Sequence, residues 1–327
     1  MNLKLISLLL LLIAFTGCAP QTFLMIAEGE SFDALTKITD DKKISVYPNG
    51  GENSKNLVFS AKESDGSYNI YMKDNVLASS IIQKTSGLNY NIFPNYCPAN
   101  DKIAFCYFNK SNYDIYYINA NSGKAITQVT NTDENEYNPC WSPDGKSIVF
   151  EKGAAPRSFI QYRSGSLGGG MLFKITENQV WIKNLETGEL KMIGQGSYPK
   201  FSPNGKEIVF VKYDINRNRS GETGTIWTMS IDGENQRQIT NSDLGYAIFP
   251  CWSPDGKNIA FQLTKRDKAD SDIYTIGTSG ENLKQHTINK SNDFAPYWSK
   301  DNFLYFSSDR GSQYQKYLIW RFKISIE

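Results

Sequence analysis

Residues 138–150 read NPCWSPDGKSIVF, and residues 249–261 read FPCWSPDGKNIAF. Alone, the first stretch resembles an active-site signature, with Cys140, Trp141, Ser142 and Asp144 close together. The second copy turns attention from chemistry to repetition. Six segments align on a proline followed by an apolar triplet ending in Phe: Pro48 to Phe59, Pro94 to Phe105, Pro139 to Phe150, Pro199 to Phe210, Pro250 to Phe261 and Pro296 to Phe306. The proline-to-Phe spacing is eleven in five copies and ten in the last. Successive prolines lie 46, 45, 60, 51 and 46 residues apart.

Each unit carries four strand signals. The first surrounds the aromatic after the proline. A tight turn such as SPDGK follows, with Pro fixing φ and Gly free to take positive φ. The second strand (SIVF, IVF, IAF) is continuously apolar, as expected of a strand covered on both faces. The third appears as YNIYM, YDIYYI, QVWIKN, GTIWTM, SDIYTI and YLIWRF, and the fourth as AITQVT, RQIT or KQHT. Four strands per unit of about 45 residues predict an all-β six-bladed β-propeller of four-stranded antiparallel blades. The last copy has three strand signals after Pro296. Thr39 lies nine residues before Pro48, as Thr85, Thr130 and Thr287 lie before their own prolines. Leu35 to Thr39 is therefore expected to close the last blade and remove its open edge.

The WSPDGK turn, the IAF-type strand and the DIY segment together resemble the TolB-type propeller repeat, also called WD40-like or PD40. The resemblance covers roughly residues 35–327. It implies a protein-binding propeller of the bacterial cell envelope. TolB proteins carry a further α/β domain before the propeller, for which the short stretch before residue 35 has no room, so the role of TolB in its envelope system is not carried over.

The N-terminus reads MNLKLISLLLLLIAFTGCAP. Lys4 and the apolar run Leu5 to Phe15, interrupted only by Ser7, read as a secretory signal too short for a comfortable membrane span. FTGC resembles a lipobox, with Phe15 where Leu is preferred. The expected organisation is a lipoprotein signal peptide (1–17), a lipidated tether beginning at Cys18 (18–34) and the propeller (35–327). Acyl chains on Cys18 would hold the protein at a membrane surface. Ala19, in place of the Asp that retains lipoproteins at the inner membrane, points to the outer membrane, facing periplasm or cell surface.

The formal net charge is +1, which gives no bulk pull toward nucleic acid. No cofactor fingerprint, P-loop or CxxC pair is present, and His286 is the only histidine, which argues against a zinc site and a serine-hydrolase triad. Cys97 and Cys106 flank one hairpin and are the pair a disulfide could join; the other reading is buried free thiols. The aromatics Tyr96, Trp141, Phe201, Trp252 and Trp298 are expected to wedge between blades. Asp144, Asn204 and Asp255 read as turn residues.

The expected function is non-enzymatic protein–protein interaction, with an envelope protein as partner. The alternatives are a carbohydrate or small ligand at the axial opening and a carboxylate-based glycan-active enzyme. Length variation concentrates after Phe150 and Phe210, on the face opposite the SPDG turns. Arg157, Tyr162, Arg163, Arg217 and Arg219 in those insertions are candidate partner contacts. Tyr90, Tyr137 and Tyr246 enter their blades from that face and are expected near the axial opening.

Overall fold

The computed structural model describes residues 35–50, 52–87, 90–122, 125–154, 178–215, 222–311 and 316–324. The signal peptide, the tether with Cys18, and Arg157, Tyr162, Arg163, Arg217 and Arg219 lie outside the described residues.

The strands follow the repeat. β1 (Thr36–Lys37) precedes the first unit, which supplies β2 (Ser45–Gly50), β3 (Lys55–Lys62), β4 (Tyr68–Asn75) and β5 (Ile82–Gln83). The second supplies β6 (Asn91–Cys97), β7 (Lys102–Phe108), β8 (Tyr113–Asn119) and β9 (Ile126–Gln128). The third supplies β10 (Asn135–Trp141), β11 (Ser147–Gly153), β12 (Gln179–Asn184) and β13 (Leu190–Gln195). The fourth supplies β14 (Ser197–Phe201), β15 (Glu207–Ile215), β16 (Glu222–Ser230) and β17 (Arg237–Gln238). The fifth supplies β18 (Gly245–Trp252), β19 (Asn258–Lys265), β20 (Asp272–Gly277) and β21 (Lys284–Gln285). The last supplies β22 (Asp293–Trp298), β23 (Phe303–Ser308) and β24 (Leu318–Lys323).

The protein is an all-β propeller. Four sheets stand as separate four-stranded units: β2 to β5, β6 to β9, β10 to β13, and β22 to β24 with β1. The count of separate sheets therefore departs from the six expected. The fourth and fifth repeats share one eight-stranded sheet, joined by a parallel bridge from Gly224 to Tyr246. The cause is local: a Cβ on Gly224 would lie 2.7 Å from the Ala247 carbonyl oxygen, so only a residue without a side chain lets the two backbones meet. In the last sheet the strand order is β1-β24-β23-β22, and Thr36 pairs with Arg321 and Lys37 with Trp320.

The second strand of each unit is the best covered. Ile148, Val149 and Phe150 are buried, as are Ile208, Val209 and Phe210, and Ile259, Ala260 and Phe261. Fourth strands face solvent, and Ile126 in β9 is 54% exposed. They are held by a recurring hydroxyl: Thr39, Thr85, Thr130, Thr240 and Thr287 each accept a hydrogen bond from the backbone N–H of an isoleucine in the third strand, at 2.8 to 3.0 Å.

The turns behave as their sequences suggest. Ser142 donates to the Asp144 carboxylate at 2.5 Å, Asp144 accepts from the Lys146 amide at 3.0 Å, and the Ser147 amide donates back to Ser142. Ser202 with Asn204 and Ser253 with Asp255 repeat the arrangement. These side chains are consumed in closing hairpins.

The innermost strand of every unit carries a β-bulge at the residue before the repeat proline. Those residues, Tyr47, Phe93, Asn138, Tyr198, Phe249 and Ala295, all have positive φ, between 50° and 59°. A left-handed φ costs a non-glycine residue on the order of 1–2 kcal/mol. Burying an aromatic side chain returns about 1.5–3 kcal/mol. Here the rings meet at the axis: Tyr47 and Phe93 have centroids 4.3 Å apart, Tyr198 and Phe249 4.4 Å, and Tyr47 and Phe249 5.9 Å. The middle of the ring is thus filled by an aromatic plug.

Candidate functional site

Above the plug, on the face of the tight turns, lies a cavity of about 270 Å³. Its floor is Tyr47, Phe93, Asn138, Tyr198, Phe249 and Ala295, and its walls are the prolines and the residues just after them. Tyr96, Trp141, Phe201, Trp252 and Trp298 line it from equivalent places. These aromatics are also wedges. Trp141 is buried and meets Tyr117 of the preceding repeat edge to face, with centroids 5.6 Å apart.

The residue after five of the six prolines fastens neighbouring repeats. Asn49 accepts the Tyr96 amide at 2.8 Å, and Asn95 accepts the Trp141 amide at 2.9 Å. The backbone amides of Phe201 and Trp298 meet the sulfurs of Cys140 and Cys251 in the same way. At the fourth copy the link is reversed: the Trp252 indole donates to the Lys200 carbonyl at 3.2 Å. The Lys200 side chain is thereby left over. The residue is half-buried and lines the cavity. Burial pushes the thiols of Cys106, Cys140 and Cys251 up, and the Lys200 charge pulls all three the other way. At the rim, Lys300 pairs with Glu52 at 3.3 Å.

The tyrosines expected near the axial opening of the opposite face make contacts between neighbouring repeats. Tyr137 lies within β10 and is 1% exposed, packed on Tyr113 at 5.1 Å. Tyr246 lies within β18 and stacks on Tyr213 at 5.8 Å. Tyr90 is 39% exposed and stacks on Tyr68 at 6.2 Å. The inner strands β10 and β18 run through Tyr137 and Tyr246, and none of the three rings lines the turn-face cavity. Two signals in the sequence did point to the cavity. Tyr47, Phe93, Tyr198 and Phe249 place an aromatic before four of the six prolines, and Lys200 is the one charged residue among the six that follow them.

Other ionisable groups are structural. Glu151 is buried and accepts from the Asn138 and Asn178 carboxamides at 2.8 and 2.6 Å and from the Tyr198 amide at 3.0 Å. Asp272 and Asp293 lie buried at the junction of the fifth and sixth repeats, with Arg310 2.5 Å from Asp293. Glu136 and Asp114 are similarly buried between the second and third. His286 bonds the Thr275 hydroxyl at 2.7 Å, stacks on Phe322, and is driven down to about 4 by burial, so it is neutral near pH 7. Cys97, Cys106, Cys140 and Cys251 are buried free thiols, so the Cys97–Cys106 bridge is not made. Among the described residues no three His, Cys, Asp or Glu side chains converge to hold a metal ion, and no helix is long and apolar enough to cross a membrane.

Residues 199–323 match a family model described as the TolB beta propeller domain (PD40). Dipeptidyl-peptidase 5 of Porphyromonas gingivalis is 26% identical over 173 residues, 50% of this chain and 22% of that protein. The chain spans about half or less of the length of the curated relatives it matches. A solved structure of a putative TolB from Agrobacterium tumefaciens superposes with a TM-score of 0.57 at 18% identity, covering 87% of this chain and 91% of that one. An oligogalacturonate lyase from Vibrio parahaemolyticus gives 0.58 at 14% identity, covering 89% and 93%. With its repeats and its plugged axis the chain has a propeller fold, and its residues 199–323 are similar to the TolB beta propeller domain.

Proposed function

We propose that the protein is a non-catalytic binding module of the cell envelope that takes a segment of a partner protein into the axial cavity of the turn face. The cavity itself carries this reading: aromatic and proline surface dominates its lining, with polar groups such as Asn49, Asn138 and Lys200 interspersed, as in binding pockets. Around it the hydroxyls and carboxylates of the turns are spent on hairpin closure. The thiols of Cys140 and Cys251 that line the cavity are raised by burial, which keeps them protonated and poor nucleophiles. The eight-stranded sheet reads as two blades, which gives six, with β1 as the outer strand of the last. The pairing of β1 with β24 supports that closure. Export and anchoring through Cys18 belong to the same proposal and rest on the N-terminal sequence.

A second reading is favoured by the same aromatic walls: a carbohydrate stacking on Trp141, Trp252 and Trp298. The lyase and peptidase among the similar proteins keep enzyme chemistry as a third.

Photo-crosslinking in cells distinguishes them. A photoreactive residue at Lys300, on the cavity mouth, should capture one defined protein. The same residue at Ile126, on an outer strand, should not. Adducts from Ile126 and none from Lys300 would overturn the choice of face.

A further inference from the structure

We propose that Lys200 makes the axial cavity an anion site and that the group it reads is a carboxylate carried by an acidic side chain of the partner segment. The inference rests on the reading of the cavity as the binding site and adds its chemistry.

The six positions after the repeat prolines hold Asn49, Asn95, Cys140, Lys200, Cys251 and Tyr297. The asparagines and the cysteines are committed to the amides of the next repeat. Lys200 makes its inter-repeat link with its carbonyl alone. No hydrogen bond or ion pair engages its ammonium among the described residues, although the side chain is half-buried. A half-buried cation that no protein group engages remains available to an anion entering the cavity. The single acid lining the cavity, Glu52, is already paired with Lys300 at the rim. The cavity therefore carries one positive charge with no partner among the described residues, beside aromatic walls. A planar carboxylate would complete it with a charge-assisted hydrogen bond.

The test uses the full-length protein with two matched pairs of probes. One pair is the capped tripeptide Phe-Glu-Gly and its Gln counterpart; the other is trigalacturonate and its methyl ester. The tryptophans of the cavity report binding through their fluorescence. A preference of roughly tenfold or more for the Glu peptide, lost in Lys200→Met and regained in Lys200→Arg, supports the proposal. Thermal unfolding of each variant confirms that the ring persists. The same pattern with the sugar acid alone keeps the anion site but overturns the acidic segment as its source. Equal binding of Glu and Gln peptides, unchanged in Lys200→Met, overturns the role of Lys200 and leaves the cavity as a binding site. No response to any probe up to millimolar concentration overturns both.

Discussion

The Asn95 carboxamide oxygen accepts the backbone N–H of Trp141 at 2.9 Å, across 46 residues of sequence. One repeat's post-proline side chain thus supplies the bond that the next repeat's inner strand lacks at its bulge. Asn95 is buried, so its removal leaves a buried amide unpaired. Asn95→Ala should lower stability by about 1–3 kcal/mol in urea unfolding. Asn95→Ser, which keeps an acceptor on a shorter arm, should lose less. Equal losses in both would show that packing, not the hydrogen bond, accounts for the effect.

The axial plug combines strain and burial, and substitution separates them. Phe249→Ala keeps the left-handed backbone and loses the ring, so stability should fall by about 3–5 kcal/mol. Ala295→Gly does the reverse. It relieves a φ of 50° on a small residue that contributes little burial, and should raise the melting temperature slightly. A lower melting temperature for Ala295→Gly would mean that the left-handed backbone there is not strained.

The raised carboxyls should stabilise the fold on acidification from neutral pH. Burial, then the neighbouring Asp293 charge, pushes the Asp272 carboxyl up to about 6 from 3.8. Burial also raises Glu136, with Asp114 beside it adding to the rise. A carboxyl raised in the folded state binds its proton before the unfolded chain does. Its contribution is therefore greatest at low pH and is lost as pH rises through about 6. Lys268 at 3.7 Å, Gln285 and Thr287 moderate the effect at Asp272 without reversing it. Below about pH 4 the trend turns, because Ser67 holds Asp65 and Ser142 holds Asp144 below the usual carboxylate range. His286, lowered to about 4 by burial, works against this gain below pH 6.5, so in a His286→Gln background the urea midpoint should be higher at pH 5 than at pH 7.5, and adding Asp272→Asn should flatten the difference. A midpoint in that background that falls steadily from pH 7.5 to 5 would contradict this account.

The N-terminal strand offers a fourth check. Ile38 donates to the Ile319 carbonyl at 2.8 Å, and the Thr39 hydroxyl accepts from the Ile319 amide at 3.0 Å. Deleting residues 34–40 should expose the edge of β24 and lower the melting temperature of the whole ring in one transition. An unchanged melting temperature would show that β1 is dispensable.

The propeller was legible because its signal is repeated. Six prolines in register with six apolar triplets outweigh any single motif, and the turn residues Ser142, Asp144 and Gly145 fall where turn chemistry puts them. What escaped the sequence was direction. Tyr137 looked like a loop residue because polar residues surround it, yet the strand extends through it and buries its ring. The residue before a proline is ordinarily extended. Nothing in Phe93 or Phe249 announces the left-handed bulge that turns its ring to the axis. Lys200 was passed over because a single lysine on a strand reads as solvated surface. Its meaning appears only when the other five equivalents are seen to be uncharged and the ring brings them to one cavity.

The aromatic plug also bears on traffic. With Tyr47, Phe93, Tyr198, Phe249 and Phe294 in mutual contact, the ring has a mouth on the turn face and no exit through its centre. Whatever occupies the cavity must leave by the door it came through. The propeller cannot hand a solute from one face to the other, and a partner seated on the turn face would act as the latch on its own release.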